Sequence, residues 1–133
     1  MVSRAGLRRA ALPGIAIACL AWTSCDEDPV PPVDLEVRVF NESFNPRQET
    51  IPAGGTVRWV NYLRGAPENR RTVTSGSPGD EDAGERFDIS LEGFGNGEPY
   101  GDVFTLTFAQ PETVRYFSRL PQGREFTGMI IVQ

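Results

Sequence analysis

A chain of 133 residues leaves room for one core and little more, and its 18 acidic residues outnumber its 13 basic ones. It has no histidine and every basic residue is an arginine, which excludes a Ser-His-Asp triad, an imidazole base or metal ligand, and a lysine Schiff base. The acidic balance speaks against a nucleic-acid or anionic-membrane binder, whose first requirement is a basic face.

Residues 1–25 read as a signal peptide: Arg4, Arg8 and Arg9 make a basic start and residues 10–21 a mostly apolar run. That run is shorter than the roughly 20 apolar residues a membrane-spanning helix needs. Thr23 and Ser24 before Cys25 resemble a bacterial lipoprotein cleavage site, with Trp22 where an aliphatic residue is usual. Lipidation at Cys25 is the expectation; processing at Cys19, after Ala16-Ile17-Ala18, and plain secretion are the alternatives. An acyl chain on Cys25 would hold the protein on a membrane, facing the periplasm or cell exterior, without a spanning helix. Both cysteines lie in this segment, so no disulfide is available to the domain that follows.

Residues 26–34, DEDPVPPVD, are acidic and proline-rich and read as an extended tether. Three arginines precede Cys25 and all the carboxylates follow it, so 10 positive charges face 18 negative ones beyond it, a formal charge of −8.

The domain, residues 35–133, carries most of the 11 prolines and 14 glycines among short runs rich in Val, Ile, Phe and Thr. That pattern predicts an all-β fold. Leu35, Val37 and Val39 alternate with Glu36 and Arg38 as in a half-buried strand. A second extended stretch spans 44–51, Pro52-Ala53-Gly54-Gly55 makes a turn, and a third strand spans 57–61. Further strands are expected at 72–75, 87–91, 104–108, 114–118 and 129–132, with residues 76–101 forming long loops around one edge strand. About eight strands predict a two-sheet sandwich, with Phe44, Trp59, Phe108, Tyr116 and Met129 in its core.

The order of these pieces resembles the cupredoxin family of plastocyanin and azurin across residues 34–133. The resemblance rests on Phe44-Asn45-Pro46, Ile51 through Asn61, Thr72-Val73-Thr74-Ser75-Gly76, residues 104–108, Tyr116-Phe117, and Gly128 through Val132. It implies a Greek-key β-sandwich, an immunoglobulin-like sandwich being the competing fold. It also implies where a type 1 copper would be held: a histidine just before the Thr-Val-Thr strand, and Cys, His and Met around the loop between the last two strands. Those positions fall on Arg71, Ser118, Pro121 and Phe126. A serine hydroxyl is hard where a thiolate is soft, proline and phenylalanine offer no donor, and arginine brings a fixed positive charge. The expectation is therefore no copper and no other cofactor, with Met129 a core residue rather than a displaced axial ligand.

Arg64, Arg70, Arg71, Arg119 and Arg124 fall in or beside the same loops and would form a docking face for a carboxylate, a phosphate or an acidic protein, unless they are simply solvated. Asp80, Glu81, Asp82, Glu85 and Asp88 lie close enough in sequence to bind calcium, although their spacing is not that of an EF-hand and a solvated loop is the simpler reading. The whole reads as an envelope-anchored, non-catalytic cupredoxin-like module that binds an unidentified protein or anionic ligand. A periplasmic blue-copper electron-transfer protein is the alternative, and a carboxylate enzyme a third.

Overall fold

Hydrophobic alternation becomes strand wherever the sequence carries it. The computed structural model describes residues 32–133; residues 1–31, with Cys19, Cys25, the signal peptide and most of the tether, lie outside the described residues. The strands are β1 (Leu35–Val39), β2 (Phe44–Asn45), β3 (Gln48–Ile51), β4 (Gly55–Asn61), β5 (Arg71–Ser75), β6 (Asp88–Leu91), β7 (Val103–Phe108), β8 (Glu112–Ser118) and β9 (Phe126–Val132). A single turn of 3-10 helix, Pro67–Asn69, precedes β5. No helix among the described residues is long and apolar enough to cross a membrane.

Two sheets result, one ordered β3-β9-β8-β5-β6 and the other β2-β1-β4-β7. β1 runs parallel to β4 and β3 parallel to β9, and the remaining pairs are antiparallel. β6 ends its sheet as an edge strand, as the loop-rich surroundings of residues 87–91 suggest.

The stretch expected as one strand over 44–51 is two. Pro46 has no N–H to donate, so a ladder cannot run through it. Before it, Asn45 and Phe44 pair with Arg38 and Val39 of β1; after it, Gln48 to Ile51 pair with Met129 to Val132 in the opposite sheet. The chain thereby crosses from one sheet to the other, and the strands number nine rather than about eight.

Trp59 fills the centre of the sandwich, stacked on Phe104 with ring centroids 5.5 Å apart and meeting Tyr116 edge-on at 5.3 Å. Phe44 lies 4.7 Å from both Tyr116 and Phe126. The expected core residues Phe44, Trp59, Phe108 and Tyr116 are all buried, each contributing on the order of 2 kcal/mol by leaving water. Met129 is a correction. On β9 the inward residues are Phe126, Gly128, Ile130 and Val132, which leaves Met129 half-buried on the outer face. Gly128 pairs with Tyr116 of β8, whose ring lies across it, and a methyl at this position would collide with the Tyr116 ring and hydroxyl. Only glycine leaves room there for the tyrosine.

Candidate functional site

Three loops meet at one end of the sandwich, those joining β1 to β2, β4 to β5 and β8 to β9. Asn61, the last residue of β4, is fully buried and fixes the second of them: its Nδ2 donates to Leu91 O (2.8 Å) and Asn69 O (3.1 Å), and its Oδ1 accepts from Leu63 N (2.8 Å). The sequence gives Asn61 no assigned role; a polar residue continuing the Val57–Trp59 alternation was the available signal.

Arg71 opens β5 on the same face as Val73 and is 1% exposed. Its guanidinium is filled by oxygen acceptors. Nε donates to Asn41 O (3.0 Å), Nη2 to Asn41 Oδ1 (2.7 Å), and Nη1 to the carbonyls of Glu68 and Arg70 (2.8 Å each). Burial, and next the neighbouring Arg124, push its pKa below the ordinary arginine value, with Glu42 opposing. The side chain joins the β1–β2 loop to the β4–β5 loop. Asn41, its main partner, carries nothing in the sequence that marks it.

Ser118 ends β8. Its Oγ donates to Leu120 O (2.7 Å) and accepts from Thr72 N (3.0 Å) and Leu120 N (3.3 Å), tying the start of β5 to the β8–β9 loop. Phe126 pairs with Ser118 across the ladder and packs on Phe44. Pro121 and Arg71 line one concavity of about 360 Å³ together with Asn41, Glu68, Arg70 and Arg124. The four positions singled out by resemblance are thus gathered at one end of the fold.

The chemistry of this donor set does not fit a copper ion. A guanidinium has donors only and no lone pair for a metal. The one oxygen available, Ser118 Oγ, already makes three hydrogen bonds, and Pro121 and Phe126 contribute no ligand atom. Among the described residues no group of three or more His, Cys, Asp or Glu side chains is placed to hold a metal.

The five arginines do not act as one free cluster. Arg71 is turned inward, so it is neither a solvated charge nor an accessible docking group. Arg70 pairs with Glu92 (2.8 Å), Arg124 with Glu42, and Arg119 with Asp88 (3.3 Å). Arg119 also lies over the Phe117 ring, and Arg64 over that of Phe94. Arg70, Arg71 and Arg124 share the concavity, whereas Arg64 and Arg119 do not line it.

The acidic stretch is similarly engaged. Asp80 accepts from Ser77 N (2.9 Å), and Asp88 accepts from Thr74 Oγ1 (2.8 Å) besides pairing with Arg119. Asp82 and Glu85 line an open groove with Arg86 and Arg115.

No family model and no curated protein matches the chain. Solved structures do. The chain is similar to a purple cupredoxin from Nitrosopumilus maritimus, at 19% identity over 75% of this chain and 100% of that one, with a TM-score of 0.57. It is similar to amicyanin from Paracoccus versutus at 24% identity over 78% of this chain and 85% of that one, TM-score 0.54. It also matches part of a copper-containing nitrite reductase from Thermus scotoductus, at 23% identity over 80% of this chain and 24% of that one, TM-score 0.51. With nine strands in two mixed sheets and these neighbours, the described domain has the cupredoxin-like β-sandwich fold.

Proposed function

We propose that this chain is a non-catalytic binding module of the cell envelope, a cupredoxin-like domain whose type 1 copper site has been replaced by an internal hydrogen-bonded arginine. One observation carries the reading: the Arg71 guanidinium, a cation in its own right, sits at the first ligand position with Asn41, Glu68 and Arg70 oxygens closed around it. It cross-links loops at the end where, in the family, a metal would do so. The lack of histidine and lysine supports a non-catalytic role.

Its partner is an acidic protein or other anionic ligand taken at the end carrying Arg70 and Arg124. Their ion pairs with Glu92 and Glu42 are solvent-exposed, and such pairs contribute roughly 0–1 kcal/mol each, so a partner's carboxylates can replace them at little cost. The chain is exported, lipidated at Cys25 and held at the membrane by that anchor alone.

Copper titration of the purified chain, with desalting, metal analysis and visible absorption, tests the reading. No retained copper and no thiolate-to-copper band is the expected result. A tightly held, redox-active copper would overturn it and favour the blue-copper electron carrier that the fold alone suggests.

A further inference from the structure

Away from that end, two arginines of the described residues stand outside the ion pairs. The six ion pairs of the described residues use Arg38, Arg58, Arg70, Arg86, Arg119 and Arg124. Arg71 is spent on carbonyls and Arg64 on the Phe94 ring. Arg47 and Arg115 are left, both exposed; Asp82 and Glu85 share a groove with Arg115, and Glu42 and Glu125 a concavity with Arg47, yet none of them forms an ion pair with either.

The sheet brings them to one place. β9 lies between β3 and β8. Arg115 on β8 is the register partner of Met129, and on the other side Arg47, just before β3, accepts the Met129 backbone N–H at 2.9 Å. The two backbones that flank β9 are therefore about 10 Å apart, two strand spacings, a gap that two arginine side chains leaning over β9 can close from opposite sides. They line one concavity of about 290 Å³, with Gln48, Ser77, Thr127 and Met129 around it. Arg47 Nη2 contacts Thr127 Oγ1 at 3.4 Å, too long and weak to hold the guanidinium against a charged acceptor.

We propose that this concavity is a binding site for a tetrahedral oxyanion, phosphate or sulfate, either free or as an ester group on a larger molecule. Two planar donor forks offset a double negative charge and reach oxygens pointing in different directions, where a single carboxylate would satisfy one fork only. The Ser77 and Thr127 hydroxyls and the Gln48 amide supply neutral donors around them.

Backbone amide NMR of the purified chain, titrated at low ionic strength with inorganic phosphate, sulfate and methyl phosphate, tests the site. Saturable shifts confined to residues 47–48, 77, 115 and 127–129 are expected, with a dissociation constant of about 1 mM or below. R47Q/R115Q is expected to weaken binding at least tenfold, and R38Q on the other sheet to leave it unchanged. Methyl phosphate binding more tightly than inorganic phosphate points to an ester-borne group, and equal binding to the free ion. Shifts that track chloride at matched ionic strength, or that map to the Arg124 end, would overturn the proposal, as would undiminished binding by R47Q/R115Q. Should the double variant fail to fold, the shift map of the unaltered chain decides alone.

Discussion

The loop end and the centre of the core both bury polar atoms, and they do so in opposite ways. At the loop end the charged Arg71 is enclosed with four of its N–H groups donated to Asn41, Glu68 and Arg70. In the middle of the core, Trp59 Nε1 and the Tyr116 hydroxyl are buried beside one another with no hydrogen-bond partner. The rings meet edge-on, and neither polar atom reaches hydrogen-bonding geometry with the other. A lone charge cannot be buried unsatisfied, because its desolvation outweighs what packing returns, whereas one neutral N–H or O–H on a large aromatic ring costs less than the ring gains. The difference teaches which polar groups hold structure: those at the loop end tie loops together, and those in the core are carried along by the rings that bear them.

The largest effect is expected from Arg71→Leu. The leucine fills much of the volume but leaves four part-buried acceptors without donors; a fully buried acceptor so orphaned costs about 1–3 kcal/mol, and these cost less because water can enter from the adjoining concavity. Urea unfolding should show a loss of about 3 kcal/mol, with faster amide exchange in the β1–β2 and β4–β5 loops. A loss below about 1 kcal/mol would mean that the guanidinium is not what joins them.

Gly128→Ala should rank second. The added methyl meets the Tyr116 ring and hydroxyl, and overpacking of this kind costs about 1–3 kcal/mol. The comparison sharpens if the substitution is repeated in a Tyr116→Val background: with the ring gone the alanine should cost almost nothing. An equal cost in both backgrounds would place the fault in the β9 backbone rather than against the tyrosine.

How much of this was legible beforehand depends on whether the signal was local. The alternation of Leu35, Val37 and Val39 and the inward placing of Phe44, Trp59, Phe108 and Tyr116 follow from period-two patterning, which a strand expresses directly. Met129 was misplaced because an apolar run such as Met129-Ile130-Ile131-Val132 has no polar residue to mark its outer face; the register with Gln48 and Arg115 decides it. The split at Pro46 was present in the missing N–H but hidden by β-like residues on both sides. The positions of Arg71, Ser118, Pro121 and Phe126 were visible through resemblance. What Arg71 does was not, since Asn41 lies 30 residues away and becomes its partner only when the β1–β2 loop closes over it. The Arg47–Arg115 concavity was likewise invisible, being made by a parallel pairing between distant parts of the chain.

The smallest effect, and the one that most directly probes the core half of the comparison, is Tyr116→Phe. Removing an orphaned hydroxyl takes away a desolvation cost without breaking a bond, so stability at neutral pH should be unchanged or rise by up to about 1 kcal/mol. A loss greater than that would mean the hydroxyl has a partner after all, with Trp59 Nε1 the nearest candidate. The pH dependence supplies an independent reading. Burial raises the Tyr116 phenol well above the ordinary tyrosine value. The folded state therefore holds this proton where the unfolded chain releases it. The resulting stability is fully present below the unfolded pKa and is lost as pH rises above it toward the folded value. Unaltered protein should weaken as pH climbs past about 10, and the phenylalanine variant should weaken less, so the gap between them widens with pH. Parallel curves would show Tyr116 ionising as freely in the folded domain as in the unfolded chain, and the core would then be wetter than its packing implies.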